Sequence, residues 1–148
     1  MVCPFCLHKK TKVYNSRHTA RLNETWRRRR CEACKREYTT REHADPESIL
    51  RVGTAKRTAQ YSRAKLTLSI LSVCDHRKDH GEAAYWLNDT IEQKLYRLAA
   101  AANNSVTKKQ IINVILETLK NFDTAAYIKY LSRYSPELDA RTLKKHLK

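Results

Sequence analysis

From residue 62 onward the apolar positions recur at helical spacing. Ala64, Leu66, Leu68, Ile70, Leu71 and Val73 supply an apolar surface and Ser62 stands where an N-cap belongs, predicting a helix from there to about Arg77. Gly81 punctuates, and Ala84, Leu87, Ile91, Leu95 and Leu98 predict a second helix over about 82–102. Asn103-Asn104-Ser105 reads as a loop. Thr107 and Gln110 have the spacing of a capping box, opening a helix to about Phe122 with Ile111, Ile115, Leu119 and Phe122 inward. Asp123 suits the cap of a fourth helix, with Ala126, Tyr127, Tyr130 and Leu131 on one side. Ser135-Pro136 then starts a short basic tail helix, with proline at its first position. Before residue 62 the pattern is different. Val13-Tyr14, Thr25-Trp26 and Tyr38-Thr39-Thr40 read as short strands. Asp45-Pro46 breaks helix, Ser48–Val52 has strand character and Gly53 permits a turn.

The pattern therefore predicts an α+β chain: a small antiparallel β module followed by a mainly helical domain with a short β-hairpin. The expected boundaries are 1–45, 46–134 and a tail over 135–148. Composition agrees. Of 148 residues 41% are hydrophobic, enough for a core, while two glycines and three prolines argue against disorder or an all-β architecture. Trp86 and most of the eight tyrosines are expected in the core or an interface. No apolar run approaches the roughly 20 residues that span a bilayer, and MVCPFCLHKK is not a signal peptide. The expected location is the cytoplasm, where cysteines more commonly bind metal than form disulfides.

Charge and cysteines sharpen the picture at the N-terminus. The net charge is +15, and residues 1–42 hold 12 basic side chains against 4 acidic ones. That density suits a polyanion such as nucleic acid. In the same segment stand two CxxC pairs, Cys3/Cys6 and Cys31/Cys34, with 24 residues between them. Each CxxC turn sets two thiolates on one side of a knuckle, and two facing knuckles put four sulfurs about 2.3 Å from a zinc ion. Four ligands close the shell, so the expected Zn2+ is structural. With all four sulfurs present, His8, His18 and His43 are not needed as ligands, and Cys74, His76 and His80 are not expected to form a second site. Arg27, Arg28, Arg29 and Arg30 lie on the strand entering the second knuckle, Arg27 and Arg29 facing one side and Arg28 and Arg30 the other. With Lys12, Arg17, Lys35, Arg36 and Arg41 they form a candidate DNA-binding surface, because guanidinium groups bind phosphate bidentately and read guanine edges. Some should pair with Glu24, Glu32, Glu37 or Glu42.

These residues resemble a known family, the NrdR repressors of bacterial ribonucleotide reductase genes. In the first half the resemblance rests on CPFC at 3–6, TKVYNSR at 11–17, RRRRCEAC at 27–34 and YTTRE at 38–42. In the second half it rests on YSRAKL at 61–66 and IINVILETLKNFDTAAYIKYLSRY at 111–134. It implies a zinc ribbon joined to an ATP-cone, a regulatory domain that binds ATP or dATP. It further implies a homo-oligomer whose assembly responds to nucleotide, double-stranded promoter DNA as partner, and repression of reductase genes in the bacterial cytoplasm. The nucleotide-binding residues it implies are Val52, Lys56, Arg57, Tyr61 and Lys65.

The sequence also departs from the family. Counting back from Tyr61, the family's strand lysine falls on Gly53, its next basic residue on Thr54 and its acid on Ala59; Lys56-Arg57 supplies the charge only in a hairpin shortened by three residues. Glu37 stands where the family usually has arginine. The altered strand motivates an alternative: a zinc-ribbon nucleic-acid-binding protein whose cone serves only for oligomerisation. No P-loop, Ser-His-Asp pattern or open metal site points to an enzyme.

Overall fold

A computed structural model describes residues 1–20, 23–54 and 57–134. It divides the chain into two compact units, Met1–Asp45 and the remainder from Pro46. The predicted tail helix lies outside the described residues.

The first unit is an antiparallel sheet in the order β1 (Thr11–Thr19), β2 (Glu24–Cys31), β3 (Glu37–His43). These strands are longer than the short apolar pairs had marked, because their outer positions are charged and carry no hydrophobic alternation. Asn23 closes the β1–β2 connection at φ 47°, a conformation asparagine tolerates. The register is interrupted once, between Val13 and Asn15, leaving Tyr14 as a bulged residue. On one face β2 sets Trp26, Arg28 and Arg30 between Arg17 and Lys12 of β1 and Arg41, Thr39 and Glu37 of β3. Arg27 and Arg29 share the other face with Ser16, Val13, Thr40 and Tyr38. Almost nothing apolar is buried. Among the described residues of this unit the buried hydrophobic positions are Cys3 and Cys31.

The second unit has an ordinary core. Its elements are α1 (Pro46–Ile49), β4 (Arg51–Thr54), β5 (Arg57–Gln60), α2 (Arg63–Leu71), α3 (His80–Ala100), β6 (Ser105–Val106), α4 (Lys108–Phe122) and α5 (Thr124–Tyr134). β4 and β5 form the hairpin, and β6 joins β4 in parallel. Leu50, Ile70, Ile91, Leu95, Ile115 and Leu119 are its largest wholly enclosed side chains. Each such burial is worth about 1.5–3 kcal/mol.

Several local expectations need correction. Pro46 does not stop a helix; it opens the one-turn α1, where its missing N–H costs nothing, and Leu50 N–H returns to its carbonyl at 2.9 Å. Strand therefore starts at Arg51, not Ser48. α2 ends at Leu71 rather than Arg77: the Ser69 and Ser72 hydroxyls bond back onto the Leu66 and Ser69 carbonyls, and the Val73 and Cys74 amides both turn onto Ile70. Ser62 has extended N-cap geometry, yet its hydroxyl makes no cap bond; the Glu47 carboxylate instead accepts from Arg63 N–H at 2.8 Å. Gly81 lies inside the first turn of α3 rather than between helices. Ser105 is strand, not loop. Asn103 and Asn104 take left-handed φ after α3, and Arg51 N–H donates to Asn104, which leads the chain onto the edge of β4. Leu68, Leu98 and Phe122 face outward, Ala99 taking the core position beside Leu98. Tyr85 and Trp86 are exposed, packed edge to face on each other. The capping box at Thr107 and Gln110 and the Asp123 cap on Ala126 N–H form as their spacing requires.

Candidate metal centre and nucleic-acid interface

The two knuckles are built alike. Cys3 N–H donates to the His8 carbonyl and Cys31 N–H to the Arg36 carbonyl, each five residues on, at 2.9 and 3.0 Å. The residue after the second cysteine of each pair is left-handed: Leu7 at φ 58° and Lys35 at φ 59°. This repeated turn gathers the four sulfurs. Cys3 Sγ is 3.7 Å from Cys34 Sγ and Cys6 Sγ is 3.6 Å from Cys31 Sγ. All four Sγ atoms lie within 4.8 Å of one another. A tetrahedron with metal–sulfur bonds of about 2.3 Å has edges of about 3.8 Å. The Cys3–Cys34 and Cys6–Cys31 separations match such an edge, and no pair needs to close by more than about 1 Å to hold zinc. Burial disfavours charge on Cys31, but the Cys34 and Ala33 amides aimed at its sulfur win and bring its pKa down to about 6. At the linked Cys34 the pull of the Arg36 amide is outweighed by burial and the bonds to the other three sulfurs, which push it up to about 11, so without metal the shared charge rests on Cys31. Thiolate is the form a metal takes. Among the described residues this is the single group of three or more His, Cys, Asp or Glu side chains positioned for a metal. His18 meets Thr25, His76 meets Asp123 and His80 meets the Arg77 carbonyl, while Cys74 is fully buried. The zinc is structural, and it takes the place of the apolar core this unit lacks.

Around this centre the candidate DNA-binding residues are presented unequally. Arg28 and Arg30 are exposed, with side-chain accessibilities of 50% and 57%, whereas Arg29 retains 13%. Arg29 Nε donates to Thr40 Oγ1 at 3.2 Å, and Arg27 and Arg29 flank the Glu42 carboxylate at 3.1 and 3.9 Å. On the opposite face Glu37 receives Arg30 at 2.5 Å and Arg28 at 3.4 Å. Lys12 pairs with Glu32 at 3.1 Å, and Arg41 with the buried Glu24 at 3.2 Å. Arg17, Lys35 and Arg36 are exposed; Arg36 lies over the Phe5 ring. The four acids of residues 1–42 are thus each engaged, leaving the excess positive charge towards solvent. Sequence reasoning anticipated the pairing but missed Tyr14, whose ring lies under Arg30 at 5.2 Å and whose hydroxyl bonds Glu37. Strand alternation puts Tyr14 on the same face as Lys12, Arg28 and Arg30, and the bulge leaves it unpaired there.

The candidate nucleotide residues of the second unit are dispersed in character. Val52 is half-buried in β4 between Ala59 and Val106. Arg57 and Lys65 are exposed, and Lys56 lies outside the described residues. Tyr61 is turned inward, 4% exposed, its hydroxyl donating to Glu92 at 3.1 Å. Arg63 reaches the same carboxylate at 2.6 Å and also bonds Asp89. Burial, reinforced by the nearby Asp89 and Glu47 carboxylates, raises Glu92 to about 7 against the pull of Arg63 and Tyr61. Among the described residues no helix is long and apolar enough to cross a membrane.

Comparison with known proteins fits this geometry. The family model described as "Transcriptional repressor NrdR-like, N-terminal domain" matches residues 1–42. The "Transcriptional repressor NrdR" of Petrotoga mobilis is 32% identical over 134 residues, covering 90% of this chain and 87% of that protein. Those of Pelotomaculum thermopropionicum and Acetivibrio thermocellus are each 30% identical over 148 residues, covering 100% of this chain and 87% and 96% of theirs. With four sulfurs set for zinc, an arginine-bearing ribbon around them and similarity running the length of the chain, the protein belongs to the NrdR family of transcriptional repressors.

Proposed function

We propose that the protein represses ribonucleotide reductase genes by binding double-stranded DNA upstream of them through the ribbon, and that ATP or dATP bound by the second unit sets its oligomeric state. The observation that carries the DNA half is the exposed Arg28/Arg30 pair on a sheet whose knuckles hold four metal-ready sulfurs. Zinc fixes the strand, so little side-chain ordering opposes phosphate contact. Lys12, Arg17, Arg27, Arg29, Lys35, Arg36 and Arg41 extend the field, and binding weakens steeply with salt. For the nucleotide, Val52, Lys56, Arg57, Tyr61 and Lys65 are the proposed contacts. Assembly responds only if ATP and dATP favour different oligomers. Gel-shift on reductase-gene upstream DNA without nucleotide, with ATP and with dATP tests the reading. A shift that changes with nucleotide supports it; no shift under any condition overturns it.

A second reading has its own observation. Tyr61 is enclosed and its hydroxyl bonds Glu92, so a nucleotide would have to displace that bond to reach it, and Gly53 stands at the lysine position. On this reading the ribbon binds DNA and the second unit only assembles copies. Heating the purified protein and measuring released nucleotide separates the two: ATP or dATP in the supernatant favours the first, none favours the second.

A further inference from the structure

Four side chains from all three strands of the ribbon meet on one face: Tyr14, Arg28, Arg30 and Glu37. Glu37 Oε1 accepts from Arg30 Nε at 3.0 Å and Nη2 at 2.5 Å, and Oε2 lies 3.4 Å from Arg28 Nε. The Tyr14 hydroxyl completes the carboxylate's shell, and the Tyr14 ring supports the Arg30 guanidinium. A carboxylate held by two guanidinium groups and a hydroxyl presents the donor arrangement that a backbone phosphate requires. Every member remains reachable from solvent: the Glu37 side chain is 30% exposed and the two arginines 50% and 57%. The opposite face differs, since Arg29 is largely covered and tied to Thr40.

We propose that Glu37 is an internal stand-in for a DNA phosphate. In the free protein it holds Arg28 and Arg30 aligned, and on binding it yields them to the backbone of the duplex. The proposal rests on the ribbon binding DNA and adds which face does so and which residue restrains it. Two arginines and one carboxylate offer a net single positive charge to the duplex. Removing the carboxylate's charge offers two. The Tyr14 hydroxyl bond first, then the bond and charge of Arg30 and the charge of Arg28, hold the Glu37 carboxyl below the ordinary carboxylate range against the cost of burial, so the restraint persists at neutral pH.

The test compares Glu37→Gln with Glu42→Gln, which removes the same charge from the opposite face. Full-length, zinc-loaded protein is titrated onto a labelled mixed-sequence duplex over a range of salt. The expected result is tighter binding by Glu37→Gln, with a log–log salt slope steeper by about 0.9, so that its advantage grows about eightfold for each tenfold dilution of salt. Glu42→Gln should gain less. Adding Arg28→Ala and Arg30→Ala to Glu37→Gln should abolish the gain. Equal gains in the two glutamine variants would mean that net charge alone is felt, and a larger gain in Glu42→Gln would assign the other face; either overturns the proposal. Zinc stoichiometry checks folding. Should Glu37→Gln lose metal, Glu37→Asp keeps the charge but shortens the reach, and is expected between wild type and a full gain; no gain there overturns the proposal too. Absence of DNA binding by the wild type would sink the DNA reading itself, and this inference with it.

Discussion

Replacing Glu92 with glutamine keeps the shape of a buried side chain and removes its proton equilibrium. Glu92 is 3% exposed and its folded pKa is about 7, against roughly 4.3 in an unfolded chain. Between these values the folded protein holds a proton the unfolded chain has released. Stability therefore falls as pH rises through the window, and levels off above it. At about 1.4 kcal/mol per pH unit the whole effect approaches 3–4 kcal/mol, and about 2 kcal/mol of it lies between pH 5.5 and 8. Tyr61 and Arg63 use different oxygens of Glu92. In Glu92→Gln the one remaining oxygen accepts from Arg63 while the new NH2 donates to the Tyr61 hydroxyl oxygen, so this slope should vanish while the fold remains. The assay is chemical denaturation followed by helical circular dichroism at both pH values. Wild type should lose about 2 kcal/mol more than the variant on going from the lower to the higher pH. Equal losses, or a wild type that gains stability with rising pH, would refute the reasoning and show that Arg63 keeps the carboxylate charged throughout.

Two further substitutions probe the backbone. A Cβ at Gly53, where φ is 151°, would lie 2.1 Å from the Arg57 carbonyl oxygen, so Gly53→Ala should cost about 2 kcal/mol or more, read as a lower midpoint in thermal unfolding; an unchanged midpoint would contradict the hairpin geometry. Leu7 is exposed yet left-handed, so Leu7→Gly should relieve about 0.5–1 kcal/mol net and tighten zinc two- to fivefold in competition with a chelator, because metal binding and folding of the ribbon are coupled. Weaker zinc in that variant would count against the knuckle conformation.

The metal centre was legible because ligand chemistry is a spacing rule: two CxxC pairs need no tertiary information to be read. The capping box at Thr107 and the cap at Asp123 were legible for the same reason, each being settled within four residues. What escaped notice depends on neighbours. Tyr14 meets Glu37 across two strands, a pairing that needs the register of all three, and the left-handed turns at Leu7 and Lys35 carry no glycine to announce them. Leu98 and Ala99 compete for one inward position, which α3 gives to the smaller residue, and spacing alone favours the larger. Glu47 caps α2 from another element, displacing Ser62, and β6 exists only because Asn103 and Asn104 turn the chain onto β4. Family resemblance supplied the nucleotide residues, yet Tyr61 has its hydroxyl engaged inside the core.

The central claim is that zinc at Cys3, Cys6, Cys31 and Cys34 holds the arginine-bearing sheet in the form that meets DNA. The direct measurement strips metal from the purified full-length protein, verifies its removal, and follows duplex binding before, after and on return of zinc. Loss of binding with the metal and recovery with zinc is the predicted result. A metal-free ribbon that grips DNA as firmly as the loaded one would contradict the account.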